Sequence, residues 1–256
     1  MDFDKDEKNE TPSDILKAID DYKAETAKTA EHLIYHVFPR RFLELSKKVR
    51  ELQSTPEALF DVDVLIDFRD FVPPEVLSRK RTASNLNGVL EDVDSESFKY
   101  NYCASNRVPM NRKLQGLLRD LKAELFSYID SLGKVKHWIQ MRVPKIEDGN
   151  NFGAAVQSEI IQELGNAEEA ALETLEQITK YFLTRGKLIS KSYKYPKLED
   201  YINAIFELDE KQRMNVTMCF LDIRNNYLLI YDLLVKNIKL VKQPKGRTRQ
   251  HQSLYG

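Results

Sequence analysis

Apolar residues recur at alternating steps of three and four along the second half of the chain. The most regular run consists of Leu114, Leu118, Leu121, Leu125, Tyr128, Leu132, Val135 and Ile139. This spacing places one apolar side chain per turn on a single helix face, which is typical of a helix-packing seam. Only Gly133 weakens the pattern before Pro144. The run therefore predicts a helix of about 30 residues, the second of the chain.

The first helix is predicted upstream of this seam and begins near Ser13, whose hydroxyl can cap the free amides of a first turn. Its expected buried face consists of Ile15, Ile19, Tyr22, Leu33 and Val37. Pro39 lacks a backbone amide hydrogen, so a kink or break is expected there. Beyond the proline the helix is predicted to resume through Leu43, Leu45, Val49 and Leu52.

Two more helices are predicted downstream, separated by Pro196. The third starts at about Phe152, with inward positions Val156, Ile160, Leu164, Ala167, Ala171, Leu175, Ile178 and Phe182. The fourth runs to about Val241, with inward positions Tyr201, Ile205, Leu208, Met218, Leu221, Tyr227, Tyr231, Leu234 and Ile238 and a bend over residues 209–215. Because the last two connections are short, the pattern predicts an all-α fold, an antiparallel four-helix bundle.

Outside the helices the sequence divides into segments of different composition. The stretch between the first two helices contains Pro56, Pro73, Pro74 and Pro109 among many Asp, Ser and Asn residues, which predicts a long disordered loop. The resulting organisation is a flexible N-terminus 1–12, helix 1 at 13–54, the variable loop 55–110, helices 2 to 4 within 111–242 and a flexible tail 243–256.

Composition excludes several classes of function. The 256 residues carry a net charge of -1, so no single-sign field would draw nucleic acid or a membrane to the surface. The chain has two cysteines, Cys103 and Cys219, which cannot form a disulfide framework. With no signal peptide and no apolar stretch long enough to span a bilayer, a reducing compartment, cytosol or nucleus, is expected.

The sequence contains no catalytic constellation. His32 and His36 have the spacing of a metal-chelating pair, but no Glu follows the first His as in metalloproteases. No Glu-x-x-His motif of a di-iron bundle occurs, and no glycine-rich loop that holds phosphate. The prediction is no enzyme, no cofactor and no metal. A bundle enzyme with a carboxylate or His metal site is the most remote alternative.

The predicted third and fourth helices also carry apolar residues outside their inward faces. They are Leu172, Leu183, Tyr181, Tyr193 and Leu229. Excess apolar surface of this kind predicts self-association, without fixing the number of subunits.

The segment 143–153 (VPKIEDGNNFG) joins the second and third helices and is rich in turn-forming residues. Pro144 restricts the backbone, Gly149 can adopt positive φ, and the side chains of Asp148, Asn150 and Asn151 can bond main-chain amides. Such a loop can be held in one conformation. The simpler alternative is that these residues stop one helix and cap the next.

This loop resembles the activation loop of the 11S proteasome activators, the REG family. Four further motifs recur in the order that the family shows: FPRRFLEL at 38–45, YPKLEDY at 195–201, IRNNY at 223–227 and LVKNI at 234–238. The resemblance is strongest over residues 113–244. The chain lacks the alternating Lys/Glu tract that alpha and beta types carry between the first two helices, so it resembles the gamma type.

The resemblance implies a heptameric ring that activates the proteasome core particle without ATP. Gate opening falls to the activation loop, residues Pro144, Lys145, Ile146, Glu147, Asp148, Gly149, Asn150, Asn151, Phe152 and Gly153. Binding to the α-subunits falls to the end of the tail, residues Ser253, Leu254, Tyr255 and Gly256. The family ends in a hydrophobic residue followed by Tyr, so Gly256 moves the terminal carboxylate one residue further.

Two basic groups acquire expected roles from the same resemblance. Arg185, Lys187 and Lys191 are candidates for lining the ring channel, and Arg79, Lys80 and Arg81 for a nuclear-import signal. The resemblance thus implies a location in the nucleus and also the cytoplasm, with neither nucleic acid nor membrane as a partner. The alternative from another class is a helical scaffold or adaptor without gate-opening activity.

Overall fold

The computed structural model describes residues 11–54, 111–145, 151–195 and 197–245. It contains helices α1 (Pro12–His32), α2 (Phe38–Ser54), α3 (Arg112–Gln140), α4 (Phe152–Lys194) and α5 (Glu199–Lys242), with a π-helical turn, Leu33–Val37, joining α1 to α2. No strand occurs in these ranges, and the all-α prediction is confirmed. The predicted loop 55–110 lies outside the described residues. Among the described helices, none combines the length and apolarity that a membrane span requires.

Contacts between side chains define the directions of the helices. Near the start of α1 the Tyr22 hydroxyl lies 3.3 Å from Nε2 of His137, close to the end of α3. Near the end of α2 the Lys48 ammonium donates to Asp120, close to the start of α3, at 2.8 Å. The continuous rod formed by α1, the π turn and α2 is therefore antiparallel to α3, and it also packs on α5.

Helices α4 and α5 form the second antiparallel pair. The start of α4 meets the end of α5 at Gln157 and Val241, and the end of α4 meets the start of α5 at Arg185 and Asp209. With α3 packed on α4, the four rods form the predicted antiparallel bundle. The heptamer remains a prediction.

The core follows the predicted seam on α3 but only part of the predicted inward face of α5, where Met218 is 57% exposed. All eight apolar residues of the α3 seam are buried, and on α5 the buried residues Val216, Phe220, Ile223, Tyr227, Ile230 and Leu234 continue the same spacing. In the middle of the bundle, the rings of Tyr128 and Tyr227 meet edge to face with centroids 4.9 Å apart. Phe38 packs on the same Tyr227 ring at 5.5 Å. This aromatic cluster joins α2, α3 and α5.

The start of α1 differs from the prediction in its cap and in its burial. Thr11, not Ser13, caps the helix: its hydroxyl accepts from the Asp14 amide while the Asp14 carboxylate accepts from the Thr11 amide. The predicted inward residues Ile15, Ile19 and Tyr22 are 45%, 45% and 54% exposed. Apolar residues recur at helical spacing there, but α1 packs closely on the rest of the subunit only from about residue 26 onwards. Its first turns leave their apolar stripe uncovered.

Pro39 does not break the first rod. The amide of Phe38, the residue before the proline, donates to the carbonyl of Leu33, five residues back. This i to i−5 bond defines a π-helical turn. The wider turn accommodates the proline ring and the missing amide hydrogen without ending the helix. Ile34, within this turn, and Phe38, directly after it, are both buried and tie the turn to the core.

Helices α4 and α5 have 43 and 44 residues against 29 in α3, so they extend about 20 Å beyond it. The helix α5 is continuous through residues 209–215, where a bend was predicted. Where the pair leaves the bundle, the Tyr181 hydroxyl donates to Asp209 Oδ1 at 2.9 Å. Tyr181 was expected on the surface; it is buried because this bond secures its polar tip. Burial and the neighbouring Asp209 carboxylate both raise the pKa of this phenol.

Candidate functional site at the loop end of the bundle

Three helix termini meet at one end of the bundle, which we call the loop end: the end of α3 at Gln140, the start of α4 at Phe152 and the end of α5 at Lys242. The described part of the segment that follows α3 is the first stem, residues 141–145, and the residues that open α4, 151–153, are the second stem. The residues that follow α5, 243–245, are the tail base.

The first stem leaves α3 by two tight turns. The Arg142 amide donates to the Ile139 carbonyl at 2.9 Å, and the Val143 amide donates to the Gln140 carbonyl at 3.2 Å. Pro144, which follows, offers no amide hydrogen to continue the helix. The Arg142 guanidinium lies over the Trp138 ring, 5.1 Å from its centroid. This cation–π contact holds the stem against α3.

The second stem begins at Asn151, whose carbonyl accepts the Ala155 amide at 2.9 Å. The Asn151 side chain makes no capping bond, and its backbone angles are φ -100° and ψ 8°. The Asn151 side chain therefore does not cap α4, and the other polar residues that could do so, Asp148 and Asn150, lie outside the described residues. The backbone lies outside the extended conformation of a typical N-cap, and only in that conformation is the side chain well placed to reach the amides of the first turn.

Gly153, in the first turn of α4, is buried against the tail base. A Cβ atom at this position would overlap the Pro244 backbone, with its carbonyl carbon only 2.7 Å away. Glycine is therefore required here by the close approach of two backbones, not by an unusual φ. This contact joins the second stem directly to the tail base.

Gln157, one turn further along α4, is completely buried at 0% exposure. Its Nε2 donates to the Val241 carbonyl of α5 at 2.9 Å and lies 3.4 Å from the Arg142 carbonyl of the first stem. Gln157 was not among the residues predicted from the sequence. The available signal was a polar residue three positions before Ile160, where it continues the apolar stripe of α4 at helical spacing.

The tail base is also tied to the first rod. The Gln243 amide donates to the Lys239 carbonyl at 2.9 Å, which closes the last turn of α5. The Lys242 ammonium pairs with the Glu31 carboxylate of α1 at 2.8 Å, and both side chains are more than a third exposed. Such a pair adds little stability but restricts where the tail base lies.

The predicted loop and tail residues divide between described and undescribed parts of the chain. Pro144 is half-buried, while Lys145, Asn151 and Phe152 are exposed. The remaining loop candidates, Ile146, Glu147, Asp148, Gly149 and Asn150, and the tail candidates, Ser253, Leu254, Tyr255 and Gly256, lie outside the described residues. The described stems and tail base nevertheless place the attachment points of both segments at the loop end.

The three basic channel candidates lie near the opposite end, and one of them is not available at the surface. The Arg185 Nε donates to both Asp209 carboxylate oxygens, at 2.9 and 3.2 Å, and its side chain is only 8% exposed. The expectation that it lines a channel is contradicted because its charge is neutralised within the subunit. Lys187 and Lys191 are exposed, the latter with its ammonium 5.7 Å from the Tyr201 ring centroid. Arg79, Lys80 and Arg81 lie outside the described residues.

The described residues of the loop end include no reactive or metal-binding cluster. The rings of His32 and His36 lie 5.2 Å apart, but no group of three or more His, Cys, Asp or Glu side chains that could hold a metal occurs in the described ranges. Burial raises the pKa of the Cys219 thiol, which disfavours its reactive thiolate. Cys103 lies outside the described residues.

Comparison with known proteins gives the same family over both halves of the chain. Residues 107–251 match the model of the proteasome activator PA28 C-terminal domain, and residues 13–56 match that of its N-terminal domain. The human and chicken proteins named proteasome activator complex subunit 3 are each 30% identical over 250 residues, covering 94% of this chain and 96% of theirs.

A solved structure supports the same conclusion. The 11S subunit of the Plasmodium falciparum proteasome, PA28, superposes with a TM-score of 0.69 at 31% identity, covering 96% of this chain and 100% of that one. The family consists of regulators, and the described part of the loop end carries the positioning contacts given above. The chain belongs to the PA28 family of proteasome activators.

Proposed function

We propose that this protein assembles into a ring, docks on the α-subunits of the proteasome core particle and opens the substrate gate without nucleotide. The observation that carries the proposal is that the attachment points of loop and tail adjoin: Gly153 of the second stem touches Pro244 of the tail base. A subunit that docks through its tail therefore presents its loop to the same surface. Membership of the family supplies the identity of that surface.

The ring is supported by apolar side chains that the subunit leaves uncovered. Leu172 and Leu183 on α4 and Leu229 on α5 are all more than half exposed, as predicted, and the apolar residues at the start of α1 join them. Subunit contacts would remove this surface from water. We propose a closed ring of seven copies, the number that the family implies.

Docking is assigned to the last residues of the tail, Ser253, Leu254, Tyr255 and Gly256. One tail binds weakly by itself, but a ring presents several at once. After the first tail engages, the others bind at high effective concentration, so overall affinity exceeds that of one tail by about a hundredfold or more.

Gate opening is assigned to the loop centred on residues 146–150. A ligand shifts an equilibrium only through its different affinity for the two states, so the loop must contact the open gate better than the closed one. A loop whose stems are fixed loses less conformational entropy on contact than a floppy one. The turns at Arg142 and Val143 and the Gly153 contact fix the stems of this loop.

Two further assignments remain proposals. Lys187 and Lys191, the exposed members of the basic group, are proposed to face the channel and to influence which peptides pass. Arg79, Lys80 and Arg81 are proposed as a nuclear-import signal, which would place the protein in the nucleus and also the cytoplasm.

Truncation after Lys245 tests the docking step. The shortened chain keeps every described helix, so we expect it to form the same ring by analytical ultracentrifugation. Its half-saturating concentration for stimulating the core particle should rise by about a hundredfold or more, because multivalent attachment is lost. Deletion of Gly256 alone is the matched control and tests whether the shifted carboxylate is tolerated.

Two results would overturn this assignment. A truncated ring with an unchanged half-saturating concentration would show that docking does not use the tail. A full-length ring that binds the core particle without accelerating peptide hydrolysis would favour the scaffold or adaptor alternative.

A further inference from the structure

One buried carboxamide contacts two other helix termini at the loop end. Gln157 has a single side-chain nitrogen with two hydrogens, and this nitrogen faces two carbonyls from different segments. The Val241 carbonyl accepts at 2.9 Å, and the Arg142 carbonyl lies at 3.4 Å, the longer and weaker of the two contacts. Gln157 thereby connects the helix that follows the loop with the segment that precedes it and with the helix that carries the tail.

Both carbonyls belong to groups that need an outside partner. The last four carbonyls of a helix lack an intrahelical amide donor. Val241 lies in the last turn of α5, and Arg142 lies just beyond the end of α3. Gln157 is 0% exposed, so its amide contacts these carbonyls at a point that is shielded from water. An apolar side chain of the same size would leave both carbonyls without this donor.

Packing alone does not account for a glutamine at this position. Its Oε1 is buried and has no hydrogen-bond partner within the described ranges. An unpartnered buried acceptor is unfavourable, so a residue that only filled space would be better as methionine or leucine. What glutamine adds is the donor that joins three segments.

A second contact runs parallel to the first. Gly153 lies four residues before Gln157, hence on the same face of α4, and its backbone adjoins that of Pro244. The first turns of α4 therefore contact the tail base at Gly153, the end of α5 at Val241 and the first stem at Arg142. We call these contacts the clamp.

We propose that Gln157 is a positioning residue that holds the two loop stems and the base of the tail as one unit, so that docking of the tail sets the position of the loop against the gate. This inference rests on the proposed gate-opening function. Without the carboxamide, the tail still docks and Gly153 still contacts the tail base, but the first stem at Arg142 loses its link to the end of α5 and moves independently of the tail. The gate then meets a loop whose position varies, and stimulation falls although binding does not.

Gln157→Met tests the inference because it keeps the length of the side chain and removes both hydrogen-bond donors. We expect the ring to form and its half-saturating concentration for the core particle to change by less than about threefold, since the tail residues are untouched. Maximal stimulation of peptide hydrolysis should fall by about fivefold or more. This is the change in equilibrium constant that corresponds to the loss of one buried hydrogen bond that positions the loop. In the free ring, amide exchange at Arg142, Val143 and Gln243 should rise together.

Gln212→Met is the matched control. Gln212 is also a buried glutamine, but it lies in the first half of α5, far from the loop end. Its substitution should leave exchange at the loop end and maximal stimulation as in the wild type. Equal loss of stimulation in both variants would mean that any buried glutamine affects the ring in this way, and would overturn the inference.

The remaining outcomes are also decisive. If wild type stimulates and Gln157→Met does so equally, with exchange unchanged, the clamp is not needed and the inference fails while the proposed function stands. If wild type does not stimulate, the proposed function fails. Should Gln157→Met form no ring, Gly153→Ala is measured instead, because the added methyl group displaces Pro244. This substitution does not touch Arg142 or Val143. Increased amide exchange at those two residues is therefore expected only if the clamp couples the segments.

Discussion

Replacement of Asn150 by tyrosine is expected to abolish most of the stimulation of peptide hydrolysis while leaving the ring and its docking intact. The described stems attach this loop firmly on both sides, at the turns of Arg142 and Val143 and at Gly153. Between them, asparagine can bond its side chain to the main chain of a turn, whereas tyrosine cannot and adds bulk. The substitution therefore alters the loop surface without altering the attachment points.

The expected size of this effect follows from the number of loops. Every subunit of a ring carries the substitution, so small losses of preference for the open gate add over the subunits. A total loss of roughly 1.4 kcal/mol changes the ratio of open to closed gates about tenfold. We expect maximal stimulation to fall by at least this factor in assays with fluorogenic peptides.

The matched control for Asn150→Tyr is Asn203→Tyr, an exposed asparagine near the opposite end of the bundle. It adds the same aromatic ring far from the loop end and should leave stimulation unchanged. If Asn150→Tyr stimulates as well as wild type at saturation, the loop does not act on the gate, and another surface of the ring must do so.

Substitution of Asp209 by alanine is expected to be the most destabilising change at the far end of the bundle. Asp209 accepts from the Arg185 Nε and from the Tyr181 hydroxyl, and both donors are buried. Removal of the carboxylate leaves a charged guanidinium without its partner in a site that water barely reaches. Breaking a buried pair in this way costs about 3–5 kcal/mol, which thermal or denaturant unfolding of the ring would detect.

Two variants distinguish loss of the ion pair from loss of packing. Asp130→Ala removes the partner of Lys134 in a pair whose side chains are 61% exposed for Asp130 and 50% exposed for Lys134. This change should cost no more than about 1 kcal/mol. The double variant Arg185→Met with Asp209→Leu removes both charges and should recover part of the stability, since the buried Tyr181 hydroxyl still lacks its acceptor. If Asp209→Ala unfolds at the same midpoint as wild type, the pair contributes nothing and Arg185 is free to serve another role.

The helices could be predicted from the sequence because their apolar seams agree with their packing. On α3 all eight seam residues are buried, since this helix contacts neighbours along its whole length. On α1 the same kind of pattern at Ile15 and Ile19 marks an exposed stripe. Periodicity identifies an apolar face, but not whether the partner for that face lies in the same chain.

Other features depended on geometry that no spacing encodes. Pro39 predicted a kink or break, yet a π-helical turn accommodates the proline, and the buried Ile34 within it and Phe38 directly after it hold that turn in the core. Arg185 was assigned to a channel from the family resemblance, whereas Asp209, which neutralises its charge, is close only in the folded α4–α5 pair.

The position of the candidate site could be predicted from its motif, but the contacts that hold its segments together could not. The loop 143–153 stands out by its turn residues and its family resemblance. The role of Gly153 depends on the approach of Pro244, about 90 residues later in the chain, and that of Gln157 on carbonyls of two other segments. Contacts between residues so far apart in sequence leave no local pattern beyond a polar residue in an apolar stripe.

The most direct measurement is hydrolysis of short fluorogenic peptides by latent core particle from the same organism, with and without this protein and in the absence of nucleotide. Ring formation is verified in the same preparation. The account predicts faster hydrolysis that saturates with added ring and needs no ATP. An intact ring that binds the core particle and leaves hydrolysis at its basal rate would contradict it.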